Sequence, residues 1–291
     1  MSAVFIPENY ISKKEVVQQV IARFPDLMLD EKTVINWAQK GNECELIKHA
    51  NNRIYFDKEK LDAWYKRIEN SSVILNKEDY IKCLSFAVEA FYTMTASHFN
   101  RSTQRDAGEV LTNQVEGKLG EIAVAKLLEK QQLQIKLDFD VRGEIPSQDI
   151  AQISTRHGVW NNPAIKVSIK STKLKNILLA VSEMESSLVD RKSDIYILSQ
   201  VGLFANHILR FIKELDNRVI VNFNNFVPDF EDIPARIGGW VTHKELTSSQ
   251  LYLGEEINNK FGVRMETPNY IFRTGELSTD WKKLKENIIG S

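Results

Sequence analysis

Three residues far apart in this chain are of the types that phosphodiester hydrolysis requires: Glu121 in "GKLGEIAV", Asp149 in "SQDIAQ" and Lys170 in "VSIKST". Such hydrolysis needs a hard cation held by carboxylates, which polarises the phosphoryl oxygen and lowers the pKa of a bound water. It also needs a positive group beside the attacking water or the developing charge. An aspartate on one strand and a lysine on its neighbour bring metal and ammonium together. A glutamate from a helix packed alongside supplies the second carboxylate.

The elements that must position these residues are legible from periodicity. In "AIKVSIKS", Ile165, Val167 and Ile169 alternate with Lys166, Ser168 and Lys170, the two-residue period of a strand with one buried face. Before it, "LTNQVEGKLGEIAVAKLLEKQQ" predicts a helix from about Leu111, with Val115, Leu119, Ile122, Ala123, Leu127 and Leu128 on its apolar side. Gly117 and Gly120 inside a helix cost about 1 kcal/mol each against alanine, which suggests that another backbone comes close there. Short extended segments follow in "IKLDFDV", "DIAQIS" and "ILLAV", then an apolar strand in "DIYILSQVG". The order predicts an α/β (α+β) core in which Asp149 ends one strand and Lys170 ends its neighbour. "TRHGVWNNP" is expected to be a polar loop, "RIGGWV" a turn, and His207 a core or surface histidine rather than a ligand.

The N-terminal part reads as a helical unit. Ser12 and Glu15 form a capping box for "KKEVVQQVIARF", which Pro25 and Asp26 break. Asp30 or Thr33 caps "EKTVINWAQKG", stopped by Gly41 as a left-handed residue. Two short extended pieces surround Asn51-Asn52, and Asp57 caps "KEKLDAWYKRI", with Leu61, Trp64 and Ile68 on one face. "KEDYIKCLSFAVEAFYTMTASHF" is a mostly buried helix joining the two parts.

With 291 residues and a charged fraction of 26%, the chain has the size and composition of one large or two ordinary soluble domains. Cys44 and Cys83 offer neither a disulfide framework nor zinc spacing, which fits a reducing cytoplasm. No apolar run approaches a membrane span, and the opening "MSAVFIPENYISKKE" is not that of a secretory signal. A net charge of −1 settles nothing about partners.

Two resemblances sharpen this reading. "YISKKEVV", "KTVINWAQKG" and "NNRIYFDKEKLDAW" resemble, in order, pieces of the excisionase and MerR-like winged helix-turn-helix domains. That resemblance implies DNA binding, with Lys32, Thr33, Asn36 and Lys40 facing a major groove and Arg53 on the wing near a phosphate. Glu121, Asp149 and Lys170 resemble the helix glutamate, the metal-binding aspartate and the final lysine of the PD-(D/E)xK nucleases. Serine stands at 168 where that motif has an acid, so a relocated carboxylate is expected: Glu121 first, then Glu183, then Glu116. The segment from 110 to 280 looks like a type II restriction endonuclease, a prokaryotic cytoplasmic enzyme. The resemblance implies Mg²⁺ on Asp149 and Glu121, Lys170 at the water, double-stranded DNA as substrate and a homodimer that cuts both strands. Arg156, His157, Lys173 and Lys175 are further candidate DNA contacts. The implied organisation is a winged helix over 1–72, a helical linker over 73–110 and a nuclease core over 111–291. A repair or recombination nuclease and a non-catalytic DNA-binding regulator are the alternatives.

Overall fold

The computed structural model describes residues 9–44, 46–48, 54–93, 107–141, 148–156, 158–207, 232–263 and 265–290. The protein is mixed α and β, with a four-stranded sheet and three three-stranded ones among these residues.

The first unit contains β1 (Tyr10–Ser12), α1 (Lys13–Arg23), α2 (Glu31–Ile35), β2 (Leu46–Lys48), β3 (Ile54–Asp57) and α3 (Lys58–Ser71), with sheet order β1-β3-β2. Local chemistry starts each helix. Ser12 and Glu15 make a full capping box, the Asp30 carboxylate accepts the Thr33 amide at 2.7 Å, and Asp57 caps α3. Val16, Val20, Val34, Trp37, Leu61, Trp64 and Ile68 close around one apolar core. The helix of α2 continues as a π-helical turn over Asn36–Lys40. Gly41 ends it at φ −72°, not in the left-handed region. Glycine is needed there for room, because a β-carbon would lie 2.5 Å from Thr274 Oγ1.

The stretch after α3 does not behave as a linker. Strand β4 (Ser72–Leu75) follows α3 directly and joins the four-stranded sheet as its edge, ordered β4-β11-β10-β8. Here β8 is Val167–Lys173, β10 is Ile195–Val201 and β11 is Ile233–Thr242. Strands β8 and β10 run parallel, while β10–β11 and β11–β4 are antiparallel. Helix α4 (Lys77–Thr93) packs with the long helix α5 (Ala107–Lys130), and α5 lies across the sheet. Their shared core includes Leu84, Leu119, Val124, Leu127, Val167, Ile197 and Trp240.

"RIGGWV" is the middle of β11, a strand buried along nearly its whole length, and not a turn. Its glycines answer to crowding: a β-carbon on Gly238 would meet Leu198 at 2.9 Å and one on Gly239 would meet Leu277 at 2.5 Å. The β-bulge between Leu198 and Ser199 lies opposite them.

A second sheet, β5-β6-β7, comprises β5 (Gln134–Leu137), β6 (Ile150–Arg156) and β7 (Val159–Asn161). The expected polar loop is therefore partly a hairpin, with Gly158 at φ +85° where the chain turns. The last sheet, β12-β13-β9, joins β9 (Leu178–Ser182), β12 (Leu251–Tyr252) and β13 (Asn269–Arg273). The remaining helices are α6 (Glu183–Ser187), α7 (His243–Ser248), α8 (Gly254–Phe261) and α9 (Trp281–Ile289).

A buried ionic network fastens the first unit to the sheet. Arg236 of β11 grips the Glu43 carboxylate with both terminal nitrogens, at 2.9 Å for Nη1, and stacks 4.2 Å from the Trp37 ring centroid. Arg67 of α3 lies 3.9 Å from Glu43 and donates to the Gly238 and Leu277 carbonyls. Burial alone would raise the Glu43 carboxyl, and the two arginines more than reverse it, so it is held below its ordinary value. Among the described residues no helix is long and apolar enough to cross a membrane.

Candidate active site

The free edge of β8 is where the site forms. The Asp149 amide donates to the Val167 carbonyl at 3.1 Å, and the Asp149 carboxylate accepts the Ile169 amide at 2.6 Å. Asp149 thus precedes β6 instead of ending a strand, and Lys170 stands inside β8. Two hydrogen bonds to the β8 backbone, one through its main chain at Val167 and one through its side chain at Ile169, hold the aspartate beside Lys170.

Helix α5 brings Glu121 to the same place. Gly120 lets the helix descend onto β8, since a β-carbon there would lie 1.8 Å from Ser171 Oγ and 3.2 Å from Ser199 Cβ. Ser171 Oγ donates to the Gly117 carbonyl at 3.1 Å, holding the same contact. Gly117 itself has open space where a β-carbon would be, so only Gly120 answers to crowding.

The electrostatics tie the three sequence candidates together. Burial, and after it the negative charge of Asp149, push the Glu121 carboxyl up to about 8, against the pull of Lys118. Burial also pushes Asp149 up, while the Ile169 amide, Lys170 and Lys118 oppose it and Glu185 adds to it. Asp149 therefore lies within electrostatic reach of both Glu121 and Lys170.

Two participants were not foreseen. Lys118 Nζ donates to Glu121 at 2.8 Å and to the Asp138 carbonyl at 2.8 Å, with both members of the pair nearly buried. Glu185 Oε1 lies 2.5 Å from Lys170 Nζ. Their signals in the sequence were present but faint. Lys118 and Glu121 are one helical turn apart. Ser182 caps α6 by accepting the Glu185 amide, yet the Glu185 side chain goes to Lys170 and does not return to close a capping box.

The other candidates for the missing acid are elsewhere. Glu183 is exposed at the start of α6. Glu116 faces Lys173 in a separate cleft of about 460 Å³, where burial raises its carboxyl and Lys173 opposes the rise. Ser168 is buried on the Lys170 side of β8 and offers no carboxylate.

Among the residues expected to meet DNA, Lys32, Lys40, Lys173 and Lys175 are exposed. Thr33 is buried and cannot face a groove. Asn36 is half-buried, donating to the Lys175 carbonyl at 3.5 Å, and Trp37 Nε1 donates to the Leu174 carbonyl at 2.9 Å. Arg53, His157 and the Arg156 side chain lie outside the described residues. His207 is a core residue: Tyr80 Oη meets its Nδ1 at 2.9 Å, and burial lowers its imidazole to about 4.

Among the described residues no three His, Cys, Asp or Glu side chains gather as a metal cage. Two carboxylates with water completing the shell is nonetheless the usual donor set for Mg²⁺. Asp149 and Glu121 fit that set, since a divalent cation would relieve the repulsion that raises Glu121. No protein-family model, curated protein or solved structure matches the chain.

Proposed function

We propose that the protein is a Mg²⁺-dependent, site-specific DNA endonuclease with a PD-(D/E)xK-type core, acting in the manner of a type II restriction enzyme. The observation that carries this is the place of Asp149 at the free edge of β8, pinned by the Ile169 amide at 2.6 Å and within electrostatic reach of Glu121 on α5 and of Lys170, in a setting where burial first and Asp149 second raise the Glu121 carboxyl. Such perturbed, mutually coupled groups are what a catalytic site requires.

Mg²⁺ bound by Asp149 and Glu121 would polarise the scissile phosphate and supply an acidified water. Lys170 orients that water and stabilises the charge that develops on the phosphoryl oxygens. Glu185 fixes the ammonium of Lys170, and Lys118 keeps Glu121 oriented through their 2.8 Å contact. The order β1-α1-α2-β2-β3-α3 supports a winged-helix reading of the first unit. In that reading its DNA contacts are Lys32, Lys40 and the half-buried Asn36, because Thr33 and Trp37 are spent on internal packing. Cutting both strands calls for two cores about a two-fold axis, hence a homodimer.

Incubation with phage DNA and Mg²⁺ tests this reading. Discrete bands are expected, abolished by chelation and by Lys170→Ala. A gel shift without cleavage, or cleavage that survives Lys170→Ala, would overturn it.

A further inference from the structure

Lys170 also lines a cleft of about 770 Å³ open between the Asn36–Lys40 turn, strands β8, β9 and β13, and helix α8. Lys40, Lys170, Lys175, Lys260 and Arg273 all reach it, and no carboxylate lines it among the described residues. In a chain of net charge −1, five cations from four stretches of the chain around one opening is a local excess, even with Lys170 paired to Glu185. The same lining is also apolar, with Ile177, Leu178, Phe261 and Met265. Phe261 is held edge-on by Tyr252 at 5.3 Å between centroids and 89° between planes. Lys260 and Arg273 flank its ring at 5.5 and 5.6 Å.

A cationic rim alone would suit an intact duplex, whose outer surface is phosphate and whose bases are stacked away. An apolar, partly aromatic lining within that rim is useful only to a strand whose base faces are accessible. We infer that this cleft binds an unpaired stretch of DNA, its bases against Phe261 and its phosphates on Lys40, Lys175, Lys260 and Arg273, leading the strand to Lys170. The inference rests on the reading of Lys170 as part of the hydrolytic site, and it gives a duplex-cutting enzyme a groove that holds one strand locally unpaired beside Lys170.

Fluorescence anisotropy in EDTA, with no cleavage, tests the cleft by itself. The probes are a labelled single strand, the matching duplex and a forked duplex with an unpaired arm. Wild-type protein is expected to bind the single strand and the fork several-fold more tightly than the duplex. Phe261→Ala should weaken single-strand binding roughly tenfold, the order of one lost stacking contact. Lys260→Glu and Lys175→Glu each remove at least one phosphate contact, so the slope of log affinity against log salt should fall by about 0.7 or more for the single strand. Lys175 is exposed and outside the Tyr252–Phe261 cluster, so Lys175→Glu keeps the test open if Phe261→Ala loses its fold. Equal or tighter binding of the duplex, or single-strand affinity and salt slope unchanged in the lysine variants, would overturn the inference. Adding Mg²⁺ afterwards separates the two readings. A protein that prefers the fork but leaves it uncut loses the hydrolytic assignment and keeps the cleft. One that cuts without the preference loses the cleft alone.

Discussion

Gly120 and Ser171 touch with nothing between them: a single β-carbon on the glycine would stand 1.8 Å from the serine hydroxyl. Gly120→Ala is therefore expected to destabilise the protein by about 1–3 kcal/mol, because helix and strand must separate. Since Glu121 is the next residue, cleavage should fall further than stability explains. Gly117→Ala, with open space at its β-carbon, should be neutral or stabilising by up to about 1 kcal/mol. Urea unfolding of the two variants side by side checks the contrast.

Glu121 predicts a pH dependence of the metal-free protein. Its carboxyl is raised from an ordinary 4.5 to about 8, so the folded state holds this proton more tightly than the unfolded chain does. The resulting stabilisation is complete below about pH 4.5 and is lost as pH rises through about 8. Thermal unfolding in EDTA should show this decline in the wild type and its loss in Glu121→Gln. Mg²⁺ should raise the melting temperature more at pH 8 than at pH 6, because binding must displace the proton.

The pairing of Lys170 with Glu185 separates two nearby acids. Glu185→Ala frees the lysine ammonium and should lower the cleavage rate by about 10- to 100-fold, the usual cost of losing a supporting partner. Glu183→Ala, two residues away and exposed, should leave the rate unchanged. Cleavage time courses at saturating Mg²⁺ decide it.

Glu43 is fully buried against Arg236, so Glu43→Ala strands a charge and should cost about 3–5 kcal/mol. Adding Arg236→Met should recover part of that loss. Chemical denaturation of the single and double variants measures the coupling.

What the sequence made legible were local signals. The capping boxes, the alternation around Lys170 and the internal glycines each report on a few consecutive residues, and the helices, β8 and the close approach at Gly120 follow from them. What it hid was long-range. The role of Glu185 depends on β9 turning back so that α6 meets β8, which no local pattern encodes. "RIGGWV" reads as a turn because two glycines normally break a strand, but here neighbours across the sheet exclude any larger residue. Thr33 looks like a groove-facing residue by its place on a helix, and only the packing of the tertiary fold removes it from solvent.

Strand β4 begins at the residue after α3 ends, and its backbone is already committed to β11. No pivot separates the two ends of that passage, so the leading unit cannot swing to embrace a long polymer. On the proposed reading, a polymer that reaches Lys170 would bend to fit the protein rather than the reverse.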